Sequence, residues 1–316
     1  MKTYGEKPTR FGYGEALVKL GETNPQVVVF DADLAKSTTT GWFQEKYPTR
    51  FFDAGIAEQN MLGMAAGMSL MGKIPFVATY GVFVAGRAWD QIRTTICYSN
   101  LNVKIGGAHG GVSVGPDGAT HQALEEITTM RVLPNMTVLS PCDANEAYKA
   151  TLAAAEMRGP VYLRFGREKV PLITQETDVF EIGKAVKFRE GTDVGLLATG
   201  HMVYHALLAA EALEKQGLSA YVLNVHTIKP IDVAAIVEVA AKCKCVVTCE
   251  EHQTTGGFGS AVAEVLVKHQ PVPMRMIGVQ DRFGESGKPE ELFNIFGLSA
   301  AHIVAAAQEV MKAAGK

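Results

Sequence analysis

Phe51-Phe52-Asp53-Ala54-Gly55-Ile56-Ala57-Glu58-Gln59-Asn60-Met61 sets the carboxylate of Glu58 within a largely apolar run. It leads directly into Leu62-Gly63-Met64-Ala65-Ala66-Gly67-Met68, which reads as a buried helix built from small residues. A carboxylate in such a setting is costly unless it is paired or used. A structural ion pair at a helix start and a functional acid are the competing readings.

Outward from this stretch, short apolar runs alternate with helical ones. Val27-Val28-Val29-Phe30, Pro75-Phe76-Val77-Ala78, Met136-Thr137-Val138-Leu139 and Val161-Tyr162-Leu163-Arg164-Phe165 read as strands, as does 102–106. They are short, rich in β-branched residues and followed by turn residues. Between them, 13–24, 58–71, 87–99, 121–130 and 144–158 read as helices, the last opened by a capping-box pattern at Asp143 and Glu146. This alternation predicts a parallel sheet with helices on both faces. Residues 168–183 are polar and irregular and read as a linker. A second alternating set follows, with strands at 194–200, 220–225, 245–248 and 274–278 and helices at 201–217, 231–242, 259–269 and 299–314. The fold class is therefore α/β, in two domains.

Composition narrows the function classes. The chain has 316 residues, 47% hydrophobic and 20% charged, with a formal net charge of −3 and no basic tract. These values argue against a nucleic-acid footprint or a polybasic membrane anchor. No apolar run is long enough to span a bilayer, and the N-terminus lacks a signal or transit pattern, so a cytoplasmic location is expected. Cysteines number 5, an odd count that suggests no disulfide framework. The spacing of Cys243, Cys245 and Cys249 matches no common zinc pattern and reads as a buried strand, so no metal is assigned to them.

Gly55-Ile56-Ala57-Glu58-Gln59-Asn60 resembles the segment of thiamine diphosphate enzymes that carries their activating glutamate, and more narrowly that of transketolases. Further blocks agree in order. Arg10 precedes Asp31-Ala32-Asp33-Leu34-Ala35-Lys36-Ser37, and Thr79-Tyr80-Gly81-Val82-Phe83 precedes Arg87-Ala88-Trp89-Asp90-Gln91. The glycine-rich stretch from His109 through Asp117 to His121 comes next, then Gly159-Pro160-Val161-Tyr162-Leu163-Arg164-Phe165-Gly166-Arg167. The resemblance spans essentially the whole chain. It implies a parallel-sheet pyrimidine-binding domain over 1–170, a linker over 171–183 and a mixed-sheet transketolase C-terminal domain over 184–316.

The resemblance also implies roles. Glu58 would hydrogen-bond the aminopyrimidine ring nitrogen of thiamine diphosphate, with Phe83 stacked on that ring and Tyr80 beside it. Ile56 and Asp33 would complete the cofactor contacts, Asp33 toward the thiazolium; Asp31 is a competing candidate, and a helix cap is the structural alternative for Asp33. His109 would face the reacting hydroxyls of a ketose, Asp117 a hydroxyl further along, and His121, Ser37, Arg10 and Arg167 the substrate phosphate. Histidine suits proton exchange near neutral pH, and the planar fork of arginine suits phosphate. Arg164 lies near this edge in sequence but takes no role from the resemblance, and Gly86 stands where the family often has another aromatic.

The Gly-Asp-Gly and Asn pattern by which full-length transketolases hold the diphosphate and its Mg2+ or Ca2+ is missing from this sequence. The chain thus resembles the C-terminal subunit of a split transketolase. The expected partner is an N-terminal subunit carrying the diphosphate site, in an α2β2 assembly, with the helix at 61–71 as one contacting face. The implied reaction moves a two-carbon ketol unit between phosphorylated sugars, in pentose phosphate metabolism or in breakdown of modified sugars. Three alternatives stand beside it: the beta subunit of a 2-oxoacid dehydrogenase, a 1-deoxyxylulose 5-phosphate synthase-like enzyme, and a non-catalytic homologue. His109, Asp117, His121 and the phosphate arginines favour the sugar enzyme.

Overall fold

A computed structural model describes residues 2–316. In chain order the strands are β1 (Glu6–Pro8), β2 (Val27–Asp31), β3 (Phe51–Asp53), β4 (Ile74–Tyr80), β5 (Lys104–Ala108), β6 (Thr137–Leu139) and β7 (Val161–Arg164). There follow β8 (Lys169–Pro171), β9 (Val186–Arg189), β10 (Val194–Ala198), β11 (Ala220–Asn224), β12 (Thr227–Lys229), β13 (Val246–Gln253) and β14 (Met274–Val279).

A seven-stranded sheet has the order β12-β6-β7-β5-β4-β2-β3, and a five-stranded sheet the order β14-β13-β10-β11-β9. Pairings are parallel except at one edge of each sheet, where β12 runs against β6 and β9 against β11. Strands β2 and β10 are buried at every position, as parallel strands covered on both faces require. The expected α/β class in two sheets is what the chain adopts. Helix Thr9–Thr23 packs on helix Ala144–Glu156 so closely that a Cβ at Gly12 would lie 2.0 Å from the Ala144 carbonyl oxygen. Only glycine permits that approach.

Several expectations are corrected. The stretch read as linker contains β8, which pairs antiparallel with β1 and ties the start of the chain to the exit of the first sheet. Strand β12 comes from sequence expected in the second domain yet closes an edge of the first sheet. The largest apolar cluster is continuous across both, running from Ile105 and Tyr162 to Val225, Ile228 and Phe258.

The helix expected over 87–99 is broken. Helix Gly81–Arg87 ends, and Gln91–Cys97 winds as a π-helix. The wider turn keeps Ile92, Ile96 and Cys97 all buried. The helix expected over 121–130 begins only at Glu126. Before it, Ala123 O accepts from Gly111 N–H, and the Gln122 amide donates to the Val112, Gly115 and Glu285 carbonyls, so these residues serve a loop instead of a helical ladder. The cysteines are all buried and free; Cys243 ends helix Val233–Cys243 and does not belong to a strand. At Asp143 the cap forms with Glu146 N–H, but the Glu146 side chain reaches the Cys142 N–H, not that of Asp143. No helix among the described residues is long and apolar enough to cross a membrane.

Candidate functional site

The carboxyl ends of β2, β4, β5 and β7 converge on one edge of the first sheet, where open α/β folds bind ligands. Strand β4 ends at Tyr80, and the next helix carries Phe83, whose ring centroid lies 5.5 Å from that of Tyr80. Strand β5 delivers His109, its ring 3.9 Å from Tyr80. His121 returns from the glycine-rich loop to lie edge-on to both aromatics, at 5.6 Å and 5.5 Å. The two histidines and two aromatics thus form one wall.

His109 sits at φ +58 and is 2% exposed, and its Nδ1 has no hydrogen-bond partner among the described residues. A non-glycine residue held in the left-handed region stores strain that functional sites commonly carry. Burial foremost, then the charges of Arg10 and Arg167, push its pKa down to about 3, so the imidazole is neutral at physiological pH.

On one flank stands Glu58, at the start of helix Glu58–Leu70 and 4% exposed. Its Oε1 accepts from Arg87 Nη1 at 2.9 Å, and the Arg87 guanidinium lies 4.3 Å from the Phe83 ring centroid. On the other flank are the arginines. Arg10 donates to the Ser37 carbonyl at 2.9 Å, and Arg167 to Asp117 Oδ1 at 2.9 Å and the Val114 carbonyl at 3.3 Å. Burial foremost, then the nearby Arg167 charge, lower the pKa of Arg10, whose Nε has no hydrogen-bond partner among the described residues. A bound anion beside Arg10 would offset that repulsion.

Asp33 and Ile56 lie on exposed turns after adjacent parallel strands β2 and β3, Ile56 being 75% exposed. Both turns are held by Asp53, whose Oδ1 accepts from Asp33 N–H and Gly55 N–H. Asp31 is buried and accepts from Leu34 N–H and the Thr38 and Thr40 hydroxyls, tying down the turn and the short helix that follow. Burial raises its pKa to about 6 against those bonds. Asp33 has no capping contact; it sits at φ +60 with its side chain exposed.

Arg164 turns away from this edge. It is buried, donates from Nε to Glu126 at 2.5 Å and from Nη2 to the Glu251 carbonyl at 2.7 Å, and binds the two sheets together. Sequence reasoning passed over Asp53, Arg87, Gln122 and Glu251. Arg87 was the most accessible of these, since it stands in a motif block and a buried Glu58 demands a cation.

The wall as built suits a flat, partly apolar ring at Glu58, Tyr80 and Phe83, and a polyhydroxylated anion beyond it at His109, Asp117, Arg10 and Arg167. The orphaned His109 Nδ1 and Arg10 Nε are the kind of unsatisfied groups a ligand completes. No cluster of side chains able to hold a metal ion occurs among the described residues.

Comparison with known proteins agrees with this architecture. The family model described as "Transketolase, pyrimidine binding domain" matches residues 6–172, and that described as "Transketolase, C-terminal domain" matches residues 183–303. A protein of Methanocaldococcus jannaschii named as a transketolase C-terminal section is 44% identical, over 97% of this chain and 97% of its own. A 6-deoxy-6-sulfo-D-fructose transketolase subunit of Clostridium sp. (strain MSTE9) is 44% identical, over 94% of this chain and 92% of its own. A solved structure titled "Split gene transketolase, inactive beta4 tetramer" superposes with a TM-score of 0.90 at 47% identity, covering 98% of this chain and 99% of that one.

Proposed function

The chain belongs to the transketolase family, as a split C-terminal subunit, and on that premise we propose that it moves a two-carbon ketol unit from a ketose phosphate to an aldose phosphate, using thiamine diphosphate. The observation that carries this reading is the single wall formed by Glu58, the Tyr80–Phe83 pair, the two histidines and the two arginines.

Bound there, thiamine diphosphate would supply the carbanion equivalent that ketol transfer needs. Glu58 would hold the aminopyrimidine through its ring nitrogen, trading Arg87 for that ring, while Phe83 and Tyr80 stack beside it and offset stacking adds about 1 kcal/mol beyond burial. Ile56 and Asp33 would close the cofactor side. His109, kept neutral, would hydrogen-bond a ketose hydroxyl. Asp117 would bind a further hydroxyl. Arg10 and Arg167, with Ser37 and His121, would clamp the phosphate bidentately.

The diphosphate and its Mg2+ or Ca2+ would be held by a separate N-terminal subunit, so the complete site forms at an interface. The names of the relatives as sections and subunits support this partner, and an α2β2 assembly is the arrangement proposed. The helix Glu58–Leu70 presents exposed Met64, with Leu70 and Met71 at its end and Ile56 before its start, as a contacting face. The donor sugar belongs to pentose phosphate metabolism or to a modified-sugar pathway of the kind named for the sulfofructose relative.

The test is calorimetric titration of thiamine diphosphate with magnesium into this chain alone and then with the N-terminal subunit, followed by a ketose phosphate assay. Binding and turnover only in the mixture are expected. Tight binding to this chain alone would overturn the split-site reading, and no binding in either would overturn the cofactor assignment.

A further inference from the structure

One side chain of the second domain reaches the loop segment directly after His109. Glu251, on β13, is 4% exposed, and its Oε1 accepts the Ser113 N–H at 2.5 Å. Its carboxyl also lies flat against Gly111, where a Cβ would meet Glu251 Cδ at 2.2 Å. Gly111 sits at φ +92, so both its conformation and its contact demand glycine. Gly111 N–H donates to the Ala123 carbonyl at 2.8 Å, and Arg164 joins that carbonyl to the Glu251 backbone. The segment bearing His109 at its strained φ is therefore pinned on both sides, and the carboxylate on the second domain is one of the pins.

We propose that Glu251 is a positioning residue for His109: by accepting the Ser113 N–H and abutting Gly111, it fixes the loop that aims the imidazole at substrate. This inference rests on the reading of His109 given above. It also assigns a task to a carboxylate of the second domain. What Ser113 N–H requires is an acceptor oxygen at that place, and a glutamine supplies one. An aspartate, shorter by one methylene, does not reach.

The experiment compares Glu251→Gln, Glu251→Asp and Glu251→Ala. Amide hydrogen exchange over 109–122 is followed in this chain, and kcat, KM and cofactor affinity in the complex with the N-terminal subunit. Exchange should quicken about 10-fold or more in E251A and E251D and stay near the parent rate in E251Q, as loss of one buried hydrogen bond implies. In the complex, kcat should fall some 10- to 100-fold in E251A and E251D, the scale of a misplaced catalytic group, with cofactor affinity unchanged and E251Q near parent. Where E251A fails to fold, E251D decides. Unchanged exchange and kcat in E251D, or a loss in E251Q equal to that in E251D, would overturn the proposal. If every chain including the parent lacks turnover, the functional reading fails while the exchange result still decides this one.

Discussion

Replacing Glu146 with glutamine should remove a pH-dependent penalty on stability. Glu146 lies on helix Ala144–Glu156, 4% exposed, between the two sheets. Its oxygens accept from Cys142 N–H at 2.6 Å and from Asn224 Nδ2 at 2.7 Å. Burial, and then the neighbouring Asp143 charge, raise its pKa from 4.5 to about 7. The folded value lies above the unfolded one, so the group favours the fold fully below about pH 4.5 and loses that contribution as pH rises through about 7. At about 1.4 kcal/mol per tenfold difference in proton affinity, the change amounts to some 3 kcal/mol between the two limits. A glutamine cannot ionise. Its amide can donate to Asn224 Oδ1, which has no partner among the described residues, once the Asn224 amide turns over. The histidines His109, His201, His205 and His226 have lowered pKa values and act in the opposite sense, so only the difference between variant and parent is diagnostic. Thermal unfolding of both proteins from pH 5 to pH 8 provides it. The midpoint of E146Q relative to parent should rise by about 5 °C across that range, using about 2 °C per kcal/mol for a chain of this size. A difference that stays constant with pH would refute the argument.

In the assembled complex, Glu58→Gln should cut turnover about 10²-fold or more while the cofactor still binds, as loss of an acid–base group in place of a packing group implies; calorimetry beside a turnover assay separates the two, and unchanged turnover would favour a non-catalytic subunit. Substituting Arg10 or Arg167 by methionine should raise KM for a phosphorylated donor roughly 10- to 100-fold, the value of one charged hydrogen bond, and leave an unphosphorylated analogue nearly unaffected. Because the pKa of His109 is pushed to about 3, the kcat profile between pH 5 and 8 should show no limb that disappears in His109→Asn; a limb near 6.5 lost in that variant would contradict the neutral imidazole.

The sequence by itself determined the elements and most of their order. Val27–Asp31 and Val194–Ala198 read as strands because burial on both faces demands continuous apolar runs, a local property. It also marked candidates for the chemistry: Glu58 and His109 stand out by their setting, and the two arginines through the family resemblance. The tertiary structure decided what depends on distant partners. Nothing local marks Thr227–Lys229 as an edge strand of the first sheet, because Thr227 pairs with Leu139 of β6, far back along the chain. That Asp31 is the buried group and Asp33 the exposed one follows from where Thr38 and Thr40 fold back. Arg164 and Arg167 are the same residue type, three positions apart, yet one is buried between the sheets against Glu126 and the other reaches the site with Asp117. Periodicity and composition report each segment's own preference for burial, whereas the partner of a buried charge is fixed only when segments far apart in the chain pack together.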